Sequence, residues 1–342
     1  MAGAGPAAAF DALLVLSFGG PEGPDDVAPF LERVTRGRGV PPGRLAEVAA
    51  HYEHVGGVSP INAANRALVA ALERRGPLPV YRGNRNWHPL LEDTLSQMAG
   101  DGRRRALCLV TSAYSGYSAC RQYLEDIAAA RAAVGVGAPQ VEKLRPFFNH
   151  PWFIEPFVES TAAALVELEQ RGHGPAELVF TAHSVPLSQA PGADYVVEVE
   201  EASRLVAEGV GGVRPWSLAW QSRSGPPSVP WLEPDIGGHL AARRAAGAAA
   251  VVIVPIGFVA DHLEVVWDLD VEALGRADSV GLPAVRAATP GTHPAFVAMV
   301  GELVAERLDP STAPRAIGRL PPCTTPCAPA PTVTGPSGAS VP

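Results

Sequence analysis

The chain has 342 residues, enough for two ordinary domains or one large α/β unit. With 47% hydrophobic and 18% charged residues it can bury a sizeable core, which excludes global disorder. A formal net charge of -8 argues against a phosphate backbone as partner, so no nucleic acid is expected, and the longest apolar runs are too short for a transmembrane segment.

Short aliphatic or β-branched runs predict strands over 12–17, 78–81, 106–111, 140–144, 177–182, 217–221, 249–255 and 284–288. Helical periodicity fills most of the gaps, for example over 62–75 and 152–170. Strand–helix alternation of this kind predicts parallel sheets with helices on both faces. Eight strands divide into two sets of four, with a join near 147–152. The predicted organisation is an N-terminal lobe over 1–150, a C-terminal lobe over 151–308 and a Pro/Ala-rich tail over 309–342, the tail expected to be largely disordered. Four cysteines are too sparse for a disulfide scaffold. Met1 to Phe10 holds no Lys or Arg, so a cytoplasmic location is expected.

In open parallel sheets ligands sit beyond the carboxyl ends of the strands, and the motifs there carry the chemistry. Phe18-Gly19-Gly20-Pro21 reads as a tight strand-to-helix turn, and it lacks the third glycine of a dinucleotide fingerprint. His183 follows an apolar strand. It is either a satisfied core histidine or a base or ligand that titrates near neutrality, and its place at the strand end favours the second. Asp261-His262-Leu263-Glu264 fits a D-x-x-E capping pattern ahead of a helix. Capping does not explain why Glu264, Asp268 and Glu272 recur every four residues with no Lys or Arg between His262 and Ala273. Like charges at that spacing cost a helix about 0.2–0.5 kcal/mol per pair, so the row suits a divalent cation moving inward by oxygen-ligand exchange; the alternative is a solvated acidic face. Arg36 and Arg38 flank Gly37 in a loop suited to bidentate carboxylate binding, or to nothing more than the surface.

Taken together, Leu16-Ser17-Phe18-Gly19-Gly20-Pro21, Gly56-Gly57-Val58-Ser59-Pro60, Thr181-Ala182-His183-Ser184-Val185-Pro186, Trp220-Gln221-Ser222-Arg223, Trp231-Leu232-Glu233-Pro234 and the run from Pro255 to Glu264 resemble the ferrochelatases, in order, from about residue 11 to 308. Within that family the chain looks most like the actinobacterial branch, whose members resemble coproporphyrin ferrochelatases. The resemblance implies a chelatase-like α/β fold of two Rossmann-like lobes, each with a parallel four-stranded sheet, and a porphyrin cleft between them. It also implies a lyase that inserts iron(II) into a porphyrin in haem biosynthesis, with coproporphyrin III favoured over protoporphyrin IX. The catalytic pair would be His183 and Glu264, which would also hold the metal; Asp268 and Glu272, read from the acidic row itself, would complete the metal ligands as a relay. Porphyrin contacts would come from Ser59 and Tyr123, and propionates would meet Arg36 or Arg38.

Two departures limit the carry-over. Some members carry a tyrosine at the position of Phe18, and phenylalanine has no oxygen to offer iron. Many actinobacterial members also resemble iron–sulfur proteins with three C-terminal cysteines and one internal. Here Cys120, Cys323 and Cys327 are candidate ligands, Cys108 lies in an apolar strand run, and the set is one short, so the balance falls against a bound [2Fe–2S] cluster. Three rivals remain at this stage. They are a porphyrin carrier on the same fold, a chelatase for a sirohydrochlorin-type ring, and a nucleotide-binding enzyme, which the missing glycine and lysine motifs disfavour.

Overall fold

The computed structural model describes residues 9–37, 40–189, 194–224 and 228–323. Arg38 and Cys327 lie outside the described residues. The first half runs β1 (Ala12–Ser17), α1 (Pro24–Thr35), α2 (Pro42–His54), α3 (Ile61–Glu73), β2 (Val80–Asn84), α4 (Leu91–Gly100), β3 (Arg105–Val110), a π-helical turn (Tyr117–Arg121), α5 (Gln122–Val134) and β4 (Gln140–Lys143). The second runs α6 (Pro151–Gln170), β5 (Ala176–His183), a 3-10 turn (Leu187–Gln189), α7 (Tyr195–Val210), β6 (Trp216–Gln221), α8 (Ile236–Ala245), β7 (Ala250–Val254), α9 (Leu263–Val265), a π-helical segment (Val266–Ala273), α10 (Leu274–Ser279), β8 (Ala284–Arg286) and α11 (Pro294–Leu308).

The strands form two four-stranded sheets, in the orders β2-β1-β3-β4 and β6-β5-β7-β8, and every ladder is parallel. These are two Rossmann-like units with the same strand order. Central strands read as continuous aliphatic runs because both faces are covered; β1 and β7 are buried at every position. The largest core cluster joins the lobes. It runs from Leu13, Val15 and Leu109 through Phe147, Phe153 and Phe157 to Leu178, Phe180 and Val252.

All eight expected strands are present, with ends shifted by a few residues. The second starts later and runs further than expected. Its polar end, Arg82-Gly83-Asn84, carries no apolar signal, yet it pairs with Val15, Leu16 and Ser17 of β1. The tail expectation needs correction where it can be seen. Residues 309–323 lie against the body without regular structure, because body side chains satisfy their carbonyls. Arg145 donates to the Arg315 carbonyl at 2.9 Å, and Asn149 donates to that of Leu320 at 2.8 Å. The Ile317 N–H donates to the Asn149 carbonyl at 3.0 Å, and Leu320 and Cys323 pack on the main core. Among the described residues no helix is long and apolar enough to cross a membrane.

Candidate active site

Beyond the carboxyl ends of the strands, α1 and α2 of the first lobe meet the segment after β7 of the second. After β1 the chain turns sharply at Gly19, whose φ is +81°, and a Cβ at Gly20 would lie 2.6 Å from that of Ser59. This supports the tight-turn reading of that motif. Asn62 donates to the Gly20 carbonyl at 2.8 Å, and Asn84 donates to Asn62 at 3.1 Å, so buried amides hold the loop. Beyond it α1 and α2 bring Phe30, Val34 and Tyr52 into one cluster with Leu263, with Phe18 and Trp267 packed at its edge. The N-terminal lobe thus offers an apolar, aromatic wall, and the opposing lobe offers charge.

His183 closes β5. Its Nδ1–H donates to the Ser184 carbonyl at 2.5 Å, which fixes the tautomer and leaves Nε2 to face Glu264. Nε2 lies 3.7 Å from Glu264 Oε1, too far for a hydrogen bond but close enough for an ion pair, and each side chain is about a quarter exposed. Burial acts to push the His183 pKa down. The Glu264 carboxylate, the Ser184 carbonyl and Asp268 outweigh it, and the net direction is up. Burial likewise acts to raise Glu264, and His183 followed by His262 reverses it, so the carboxylate is held below its ordinary value. The two shifts have one cause, since each group favours the charged form of the other.

The helix start differs from the D-x-x-E pattern. The cap is His262, whose Nδ1 accepts the Glu264 N–H at 3.2 Å. Asp261 is engaged elsewhere, with Arg286 at 3.1 Å and Thr289 at 2.9 Å. Glu264 is therefore not consumed in capping, and its carboxylate faces His183. The acidic row is also not plain α-helix. Residues 266–273 are π-helical, a wider turn often found at functional sites, and four-residue spacing still brings Asp268 and Glu272 near one line after Glu264. Ser222, the one described non-glycine residue with positive φ, donates to Asp268. Burial and then the Glu264 charge push the Asp268 pKa up to about 7. Glu272 accepts from the Trp267 indole at 2.9 Å, and a cavity of about 320 Å³ lined by Asp268, Glu272, Asp235 and Arg276 lies at the outer end of the row. Among the described residues no three His, Cys, Asp or Glu side chains converge as a resident metal cage.

The remaining expected site residues do not gather here equally. Ser59 sits in the N-lobe wall against Gly20, its N–H donating to the Pro21 carbonyl at 2.9 Å. Tyr123 is 6% exposed inside the N-lobe core with Leu14 and Ile127, and the Arg85 guanidinium stacks 4.7 Å from its ring centre. Arg36 is exposed at the end of α1. Two tyrosines escaped the sequence reading. Tyr195 donates to the His183 carbonyl at 2.9 Å, and Tyr52 is buried on the opposing wall. Burial first, then the Glu264 charge, raises the pKa of both. Neither lies in a local pattern that separates it from a core aromatic.

The family model for Ferrochelatase matches residues 10–308. The chain belongs to the ferrochelatase family. Among its relatives, coproporphyrin III ferrochelatase of Nocardia farcinica is 55% identical over 326 residues, covering 92% of both chains. The protein of the same name from Streptomyces coelicolor is 53% identical over 323 residues, covering 88% of this chain and 86% of that one. A solved structure of SirB from Bacillus subtilis with Fe3+ shares the fold at 12% identity, with a TM-score of 0.56 over 87% of this chain and 97% of that one. In this member of the family the fold brings the strand-end His183 and the helix-start Glu264 face to face.

Proposed function

We propose that the chain inserts iron(II) into coproporphyrin III in haem biosynthesis, with His183 and Glu264 as the catalytic pair. The observation that carries this reading is His183 Nε2, oriented by the Ser184 carbonyl, facing Glu264 where the two lobes meet. Insertion replaces two pyrrole protons by one Fe2+, so the ring must lose two protons while the cation approaches. The neutral form of His183 accepts one pyrrole proton at Nε2, the Glu264 carboxylate stabilises the imidazolium that results, and once that proton has passed to solvent the same nitrogen takes the second. Asp268 and Glu272 present oxygen ligands in sequence, so the cation exchanges water for carboxylate as it moves inward. Phe18 and Trp87, half-buried at the edge of the aromatic cluster that Phe30 backs, suit a flat ring. Arg36 at the rim would meet propionates, and Ser59 would line the wall beside the ring. Tyr123 acts from below as support rather than as a direct contact, because it is enclosed by its own lobe.

The assay that tests the reading supplies iron(II) anaerobically with coproporphyrin III or protoporphyrin IX. The expected result is turnover with both and a higher kcat/KM for coproporphyrin III. A protein that binds porphyrin tightly but never releases its pyrrole protons would be a carrier instead. Turnover of a sirohydrochlorin-type ring in place of either porphyrin would overturn the substrate assignment.

A [2Fe–2S] centre usually takes four cysteine thiolates, and the candidates Cys120, Cys323 and Cys327 are one short, which weighs against a cluster. Cys108 is enclosed in β3 among Leu14 and Leu16, and burial pushes its thiol up to about 12. Cys120 receives the Lys143 ammonium at 3.5 Å, and Cys323 packs against the main core. With Cys327 the set reaches three, so no step of iron insertion is routed through a cluster.

A further inference from the structure

We infer that Gln221 is a positioning residue, a strut that ties the strand bearing His183 to the helix bearing Glu264 and so sets their separation. The inference rests on the His183–Glu264 reading above. Gln221 ends β6 and is the register partner of His183 on β5. Its backbone carbonyl accepts the Ser184 N–H at 2.8 Å, which secures the residue whose carbonyl orients the imidazole. Thr181, His183 and Gln221 all point to one face of the sheet, because side chains two apart on a strand, and register partners across a ladder, share a face. The π-helical segment packs on that face.

The amide of Gln221 spans the gap. Thr181 Oγ1 donates to Gln221 Oε1 at 2.7 Å. On the other side Gln221 Nε2 donates to the Glu264 carbonyl at 3.0 Å and lies 3.5 Å from Asp268 Oδ2. A carbonyl and a carboxylate are both acceptors, so the nitrogen must face them and the oxygen must face the hydroxyl. Thr181 and Gln221 are 0% and 1% exposed, so no water stands ready to replace these bonds. One amide therefore fixes the backbone of Glu264 against the strand that carries its partner, and also touches the next carboxylate of the row. A carboxylate at this position would face Asp268 with like charge, and a hydrocarbon would leave the Thr181 hydroxyl without its acceptor.

Gln221→Met keeps the volume and removes both bonds. The expected result is a kcat per folded molecule reduced about 10- to 100-fold, since a misplacement near 1 Å can cost that much. The KM for iron(II) should rise, and the porphyrin Kd, read by fluorescence titration, should stay unchanged. Thr181→Val removes the same contact from the other end. Its smaller kcat loss should not multiply with that of Gln221→Met in the double variant, since the two act through one contact. The inference is overturned if folded Gln221→Met turns over within about twofold of the parent, or if thermal melts account for the whole loss as unfolded protein. A porphyrin Kd weakened by the same factor as kcat would likewise overturn it, as collapse of the cleft rather than positioning. His183→Ala and Glu264→Gln run alongside. Should both keep their turnover, the catalytic pair itself is wrong; should both lose it while Gln221→Met does not, the strut alone fails.

Discussion

The two lobes share one topology and divide the work. Each sheet places its first strand second in the order, between strand two and strand three. At the end of β1 stand Ser17-Phe18-Gly19-Gly20, and at the end of β5 stand His183 and Ser184. One lobe uses that position for close backbone packing and an aromatic edge. The other uses it for a titratable ring. The scaffold supplies a place, and the residue there decides whether the place is a wall or a reagent. The apolar wall lowers the local dielectric, which strengthens the charges facing it.

The largest expected effect tests the reagent side directly. His183→Ala should cut kcat by about 10²- to 10⁴-fold, the usual scale for losing a positioned acid–base group, with porphyrin affinity retained because the wall is untouched. Stopped-flow absorbance of the purified variant measures it. Turnover within tenfold of the parent would break the division of labour.

Glu264→Gln comes next, at about 10²-fold in kcat. Since His262 caps the helix, the helix start should hold, and any fall in melting temperature reports the lost ion pair with His183. The pH profile adds a sign. Glu264 helps hold the His183 pKa up, and His183 must be neutral to accept a proton, so activity falls as pH drops through that raised pKa. Replacing Glu264 removes the charge, and the acid limb of kcat/KM should move to lower pH. Movement to higher pH would contradict the pairing.

Asp268→Asn should act mainly on the cation, raising the KM for iron(II) about five- to tenfold with kcat less affected. The carboxyl titrates at about 7 in the folded protein, against an ordinary value of 3.8, so the folded state binds the extra proton between those values. Stability from this group is therefore present at low pH and declines as pH rises towards 7. The asparagine variant should melt higher than the parent at pH 8 and show little difference at pH 3. The reverse order would place Asp268 outside the buried row.

How much of this was legible in the sequence follows from what each feature depends on. The strands were visible because buried parallel strands are aliphatic along their whole length, as in β7. His183 was visible because strand ends are where ligands bind. The row of Glu264, Asp268 and Glu272 was visible by spacing, but the π-helical widening was not, since a four-residue spacing keeps side chains near one face of either turn. The cap on His262 was missed because histidine is not a usual capping residue. Tyr52, Tyr195 and the amide of Gln221 depend on contacts between segments far apart in the chain. Residues 309–323 looked disordered because the groups that hold them, Arg145 and Asn149, lie elsewhere.

The smallest effect belongs to the rim of the wall side. Arg36 is exposed at the end of α1, and an exposed guanidinium–carboxylate pair is worth roughly 0–1 kcal/mol because water and salt screen it. Arg36→Ala should therefore raise the KM for coproporphyrin III only about two- to fivefold. The difference should shrink as ionic strength rises, and kcat should stay unchanged because no reacting atom is touched. A porphyrin whose propionates are esterified should bind parent and variant alike, since it has no charge for the arginine to meet. If the variant instead loses kcat at constant KM, the rim helps hold the ring against His183, and the boundary between wall and reagent lies further into the N-terminal lobe than the fold alone suggests.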